Sequence, residues 1–453
     1  MTTPTTPPPT APADSPAHEP EPAATPAPPP GCPAHGVSGA APLGGPRFQT
    51  EPAQLYREMR RDHGAIAPVV LEGDVPAWLV LGYRELHQVT SDPVLFSRDS
   101  GLWNQWDRLP ADWPLLPMIG REQPSILHTV GERHRERAAM ISDALEAADP
   151  FALRQYAEQI ADELIDGFCA DGGTDIIARY AMLLPVRVLA KIYGFPDEQG
   201  PELVSALNDM IDGRERALAG RRRLTESMAA LLVEKHAERH AEEPAGPGPD
   251  VASRMLDDTS GFTDEEIAQD LVVMMAAGHR PTADWIGNSL WLMLTDDRFA
   301  ASLSGGRHSV AQAMNEVLWE DTPTQNVAGR WAARDTRLGN RHIKAGDLLL
   351  LGLAAANRDP QVRTDGSALT GGNNAFFSFG HGEHRCPFPA QEIAEVVART
   401  AIEVLLDRLP DIDLSVPAEA LSPRPSPWLR GLSELPVRFT PAPAVGPASE
   451  GTG

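Results

Sequence analysis

The sequence predicts a mainly α-helical single domain with small peripheral β-sheets. Long stretches of apolar periodicity at helical spacing fill the chain from Gly131 onward, and only short extended runs interrupt them. No internal repeat is evident, and no apolar run approaches the ~20 residues that would span a bilayer. With 453 residues, 42% of them hydrophobic, the chain can bury a large core. Its formal charge of −24 argues against nucleic acid as the main partner. Cys32, Cys169 and Cys386 show no CxxC spacing and cannot build a disulfide framework, which points to a reducing compartment. The N-terminus lacks a signal-peptide apolar segment, so a soluble, cytoplasmic protein without a membrane partner is expected.

Residues 1–46 are dominated by Pro, Ala and Thr. Such a segment buries too little surface to offset its ordering entropy and reads as a disordered arm. Residues 441–453 read as a disordered tail, which leaves 47–440 as the folded domain. That domain opens with a helix over about 52–62, and extended runs at 66–71 and 77–81 around Gly73 suggest a hairpin. Residues 96–124 form a long irregular stretch containing Trp103, Trp106 and Trp113. Helical periodicity then runs to about Tyr193, broken near Pro150, Gly172 and Pro185; its first segment carries Arg133, His134, Arg135 and Arg137. Long helices follow at about 201–211 and 213–240, then a Pro/Gly linker at 243–249. Thr263 and Glu266 form a capping box that opens the longest helix, to about Leu294. Its middle reads MMAAGHRPTADWIGNSL.

Residues 376–394 read FFSFGHGEHRCPFPAQEIA. Gly380 and Gly382 permit a sharp turn and close approach to a flat ligand, and Phe379 offers a ring to pack beside it. His384 lies two residues before Cys386, and from Ala390 an apolar stripe at helical spacing begins. Cys386 is therefore expected at a helix N-terminus, where free N–H groups and the macrodipole favour a thiolate, a soft metal ligand.

The order Phe-Gly-x-Gly-x-His-x-Cys followed by a helix resembles the haem-ligand loop of the cytochrome P-450 family, and the likeness covers roughly residues 50–440. It implies that family's fold, with one haem b between the Thr263 helix and an axial Cys386 thiolate on iron. The implied activity is oxygen insertion into a small organic substrate, with electrons from a ferredoxin-type carrier docking near Arg385 and the basic helix at 133–137. The family places a basic pair one helical turn apart against a haem propionate; Arg137 matches the second member, and the first is Arg133 or His134. Arg330 and His384 match further propionate contacts, and Phe379 and Gly380 match the loop beside the haem. Ala277 and Gly278 match the small residues that leave room for dioxygen and substrate. The 96–124 loop would roof the pocket, its tryptophans serving as walls or as anchors on the core.

Three departures from the family's pattern stand out. Where it has an acid and then a threonine, this chain has Arg280 and Pro281, with Thr282 one place late. Arg280 cannot donate a proton at neutral pH, and Pro281 lacks both a hydroxyl and an N–H, so the helix is expected to open or kink there. The Arg-Pro pair looks like that of the family's peroxygenase branch, in which the guanidinium holds a substrate carboxylate. A reaction driven by hydrogen peroxide therefore stays open, as does a non-catalytic haem-binding role. Second, Glu-x-x-Arg has become Glu316 to Trp319, and a basic position before the cysteine loop has become Phe376. We expect a coupled exchange in which Trp319 packs on Phe376 and Glu316 finds a new donor or titrates. Third, Pro387 and Pro389 flank Phe388 where the family has glycine. Both prolines lack an N–H to offer the sulfur, and Phe388 is expected to shift the helix start or crowd the haem's proximal side.

Overall fold

The computed structural model describes Met1 and residues 40–446, apart from 110–112, 114, 121–123, 147, 213–215, 240–249, 297–298, 300–307 and 364–372. Most of the expected arm, the end of the tail, Cys32 and the 243–249 linker lie outside the described residues. The rest is mainly helical, as the periodicity predicted. Helices α1 (Pro46–Thr50) and α2 (Pro52–His63) each begin with proline, whose fixed φ and missing N–H suit a first turn. Further helices are α3 (Tyr83–Ser91), α4 (Gly131–Leu145), α5 (Pro150–Asp166), α6 (Leu184–Tyr193), α7 (Gly200–Asp212) and α8 (Ala217–Arg239). They are followed by α9 (Val251–Asp257), α10 (Asp264–Thr295), α11 (His308–Glu320), α12 (Leu353–Asn357) and α13 (Ala390–Arg408).

Among the described residues the largest sheet has the strand order β1-β2-β3-β9-β6-β4. Its strands are β1 (Ala41–Pro42), β2 (Ile66–Leu71), β3 (Val75–Val80), β4 (Phe96–Ser97), β6 (Val327–Ala332) and β9 (Leu348–Leu351). The expected hairpin is β2 against β3, closed at Gly73 with φ 76°. Smaller sheets join β5 (Gly173–Asp175) to β11 (Pro436–Arg438) and β10 (Asp413–Leu414), and β7 (Thr336–Leu338) to β8 (Arg341–Ile343).

Both ends of the folded domain extend further than their composition suggested. Ala41 and Pro42 pair in parallel with Val69 and Val70, and the Leu43 N–H continues the ladder to the Val70 carbonyl at 2.8 Å. Burial of Leu43 and Phe48 supplies the apolar surface that the preceding residues lack. At the other end, the Ala442 N–H reaches the Cys169 carbonyl at 2.9 Å, and the Val445 and Gly446 N–H groups donate to the Asp166 carboxylate. Backbone hydrogen bonding thus orders the tail as far as Gly446.

Helix α10 is the central element and packs against α6, α8, α11 and α13. The capping box is present: the Thr263 hydroxyl receives the Glu266 N–H while the Glu266 carboxylate receives the Thr263 N–H. The expected opening at Pro281 does not occur, since α10 stays helical from Asp264 to Thr295. Packing on several sides outweighs the single lost backbone bond, because most helical stability in a protein comes from tertiary contact.

Arg137 ties α4 to α10. Its Nε lies 2.8 Å from Asp270 Oδ2, with the two side chains 1% and 0% exposed, and Asp270 Oδ1 accepts the Ile126 N–H at 2.6 Å. Burial still holds the Asp270 carboxyl above its usual range, so the arginine only partly offsets the cost of desolvation. Removing one partner is therefore far worse than replacing both. Asp270→Ala is expected to cost about 3 kcal/mol in urea unfolding, and the Arg137→Met, Asp270→Leu double variant much less. Equal losses in the two variants would refute this.

Candidate active site

A cavity of about 1740 Å³ lies between α10 and the loop that carries Cys386. From α10 it is lined by Ala277, Gly278, Arg280 and Thr282; from the loop by Phe379, Gly380, His384 and Cys386; and from α4 and β6 by His134 and Arg330. The structure thus gathers around one space most of the residues that the motifs singled out. Arg137 is the exception. Its guanidinium is committed to Asp270, Glu266 and the Pro124 carbonyl, so it does not serve as the second member of the propionate pair. Arg133 is also held elsewhere, 3.0 Å from Glu266 and over the Phe262 ring. Of the four basic residues on this helix, His134 is the one that lines the cavity.

The cysteine loop is shaped by its glycines. Gly380 and Gly382 have φ of 73° and 76°, and a Cβ on Gly382 would lie 2.0 Å from the Thr90 carbonyl oxygen. Only glycine lets the loop lie this close to α3. The Gly380 N–H donates to Phe377 at 2.7 Å, and the Cys386 N–H donates to Phe379 at 2.9 Å. Contrary to expectation, Cys386 is not at the helix N-terminus: α13 begins at Ala390 with Pro389 at the cap. The Ala390 N–H closes a turn on the Pro387 carbonyl, and each proline disfavours helical backbone at the residue before it, Cys386 and Phe388, so the helix does not start sooner.

The dipole argument for a thiolate fails accordingly. Burial pushes the Cys386 thiol up to about 11, against a smaller opposing effect of Arg385. A metal ion must itself supply the stabilisation of the thiolate, and binding releases the proton. Phe388 is 51% exposed and does not line the cavity, so it does not crowd the space beside Cys386.

One edge of the cavity is rich in basic groups. Arg330 is 2% exposed and among the described residues donates only to the Gly329 carbonyl, at 3.2 Å; burial, and then Arg98, hold its pKa well below the usual range. The His384 ring lies 3.9 Å from that of His134, and its buried Nε2 has no hydrogen-bond partner among the described residues. Burial lowers His384 to about 2. Neither Arg330 nor His384 meets a carboxylate among the described residues, an arrangement costly in isolation and relieved by an anionic group inside the cavity. The carboxylates of a haem fit this edge, and the half-buried Cys386 thiol on the adjoining wall fits its iron.

On α10, Arg280 does not await a substrate carboxylate. Its Nε lies 3.4 Å from Asp284 Oδ1, one helical turn on, and Arg424 reaches the same carboxylate at 3.2 and 3.1 Å. Gly278 is small for a reason beyond ligand space, since its Cβ would come 2.9 Å from Leu189 on α6. Thr282 is buried and supplies a hydroxyl at the cavity.

The expected aromatic exchange is present. Trp319 meets Phe376 edge-on at 5.8 Å, Phe376 lies 6.4 Å from Phe379, and Phe379 lies 5.9 Å from Trp285 on α10. Glu316 has found a new donor in Arg363, whose Nη2 reaches its carboxylate at 2.8 and 3.0 Å and whose guanidinium sits over Trp319. No motif marks Arg363. The only signal was that a buried glutamate robbed of its usual partner needs another. Trp103, Trp106, Trp113 and Trp331 form one cluster with ring centroids 5.6–6.1 Å apart, so the tryptophans of the long loop anchor it to the core, while Trp113 also reaches the cavity. The expected basic docking face is largely covered: Arg133 pairs with Glu266, Arg135 with Glu383, and Arg137 is buried. Arg385 remains exposed.

A thiol loop of this form facing a helix with small residues across a basic-edged cavity defines a haem-thiolate oxidoreductase. No family model matches the chain. It is 28% identical over 398 residues to cytochrome P450 107B1 of Saccharopolyspora erythraea, covering 86% of this chain and 96% of that protein. It is 27% identical to the cytochrome P450 monooxygenase PikC of Streptomyces venezuelae, covering 87% and 92%. The testosterone-bound structure of CYP154C4 from a Streptomyces species superposes with a TM-score of 0.78 at 26% identity, covering 89% of this chain and 99% of that one. The chain is similar along most of its length to cytochrome P450s, which are haem-dependent enzymes, and its activity is that of a monooxygenase of small organic substrates. No helix among the described residues is long and apolar enough to cross a membrane.

Hydrogen bonds to an axial sulfur lower its electron donation to iron, and Pro387 withholds one such donor. Pro387→Ala is expected to raise the reduction potential of the loaded protein in a spectroelectrochemical titration. An unchanged or lower value would contradict this.

Proposed function

We propose that the cavity takes one haem b, which Cys386 Sγ would hold through its iron and His134, His384 and Arg330 through its carboxylates. The observation that carries this reading is the half-buried Cys386 thiol sharing one cavity with a basic edge that lacks carboxylate partners among the described residues. When bound, the group supplies dioxygen activation at iron, and this chain's side chains do the remainder. Phe379 packs beside the ring and Gly380 lets the backbone turn under it. Ala277 leaves room above it. Thr282 Oγ1 holds and passes a proton, since Arg280 cannot release one at neutral pH and is locked to Asp284. Walls from Leu115, Leu189, Met210, Leu218 and Val272 select a predominantly apolar substrate. Electrons come from a ferredoxin-type carrier that docks beside exposed Arg385, in the cytoplasm.

A carbon monoxide difference spectrum of the reduced protein tests the ligation. The red-shifted band of a thiolate-ligated haem is expected for the wild type and should vanish in Cys386→Ala. Its presence in Cys386→Ala, or its absence from the haem-loaded wild type, would sink the assignment. With a reductase system, Thr282→Val is expected to cut product formation on the order of 10²-fold, the usual size of a lost proton-transfer group. Wild-type rates in that variant would remove Thr282 from the mechanism.

A further inference from the structure

We propose that Arg98 is a binding residue for the cofactor's carboxylates, replacing from the end of β4 the charge that α4 does not provide. The assignment deepens the haem reading above and rests on it. Strands β4 and β6 are antiparallel, with Phe96 opposite Ala332 and Ser97 opposite Trp331. The same register carried one residue further sets Arg98 opposite Arg330. Both arginines line the cavity together with His134 and His384. On α4, the position one turn beyond His134 is Ala138, and Arg137 is spent on Asp270 and Glu266.

Like charges facing each other across a ladder repel, and burial sharpens the cost. Neither arginine has a carboxylate partner among the described residues, whereas Arg133, Arg135 and Arg137 nearby are all so paired. Arg98 is also held in place: its Nε–H donates to the Leu127 carbonyl at 3.0 Å, and its terminal nitrogens bond to no other described residue. Burial lowers it only to about 10, so it stays charged at neutral pH. Two fixed guanidiniums kept at one rim, with no anion between them among the described residues, describe a clamp for an external carboxylate. A haem brings two such groups, and the rim offers Arg98 and Arg330 beside His134 and His384.

The test compares full-length wild-type protein, Arg98→Gln, Arg98→Lys, Arg330→Gln and the Arg98→Gln, Ala138→Arg double variant, all loaded with haem. Loss of haem to excess apomyoglobin and the reduction potential are measured. Arg98→Gln is expected to release haem on the order of tenfold faster, with a lower potential because a positive charge beside the haem is gone. Arg98→Lys and the double variant should recover part of both. A merely structural Arg98, holding only the Leu127 carbonyl, would leave the potential unmoved, and that result overturns the proposal. So does wild-type haem retention in Arg98→Gln while Arg330→Gln loses it. If Arg98→Gln does not fold, the charge-preserving Arg98→Lys and Ala138→Arg in the wild-type background decide: an unmoved potential and release rate in both overturns the assignment. Failure of the wild type itself to retain haem overturns the underlying reading and this one together.

Discussion

The hydrogen bond from the Cys386 N–H to the Phe379 carbonyl fixes the sulfur relative to everything else. It closes a loop whose two glycines adopt positive φ, and it joins the thiol-bearing residue to the ring that touches Trp285 on α10. Sulfur on one wall and helix on the other are thereby held at a set separation. The cavity exists because these two walls cannot approach: Gly382 is jammed against Thr90 on α3, and Gly278 against Leu189 on α6. Close packing outside the cavity keeps it open.

The charges around this frame follow one rule. Those that build the scaffold are paired internally: Arg137 with Asp270, Arg363 with Glu316, and Arg280 and Arg424 with Asp284. Arg98, Arg330, His134 and His384 at the cavity rim meet no carboxylate among the described residues. Trading an ionic bridge for the Trp319 and Phe376 contact respects the same rule, because Glu316 was not abandoned in the process. It acquired Arg363, which also covers the tryptophan face.

Much of this was legible in the sequence, for local reasons. A capping box, apolar spacing and two glycines before a cysteine are encoded within a few residues, so α10, the hairpin, the cysteine loop and the Trp319 contact were readable. What escaped depends on partners far along the chain. Pro281 was read by its local chemistry, which predicts a break, but neighbouring helices decided otherwise. Arg137 carried the right charge at a plausible spacing, yet Asp270 on α10 claimed it. The start of α13 slipped because proline chemistry at 387 and 389 outweighed the apolar stripe. Nothing near Arg98 announces that a two-residue strand sets it beside Arg330.

Asp284 is gripped from two directions, by its own helix through Arg280 and by the C-terminal segment through Arg424, with Gly431 pressed against it so closely that a Cβ would sit 2.0 Å from Oδ1. A rivet of this kind couples the ceiling of the reaction chamber to a wall contributed by the last part of the chain. Residues 424–429 and α10 line the same cavity, so an outward shift of this segment pulls on the helix opposite it. The shape of the chamber's C-terminal wall is thus tied through a single carboxylate to the helix that faces it.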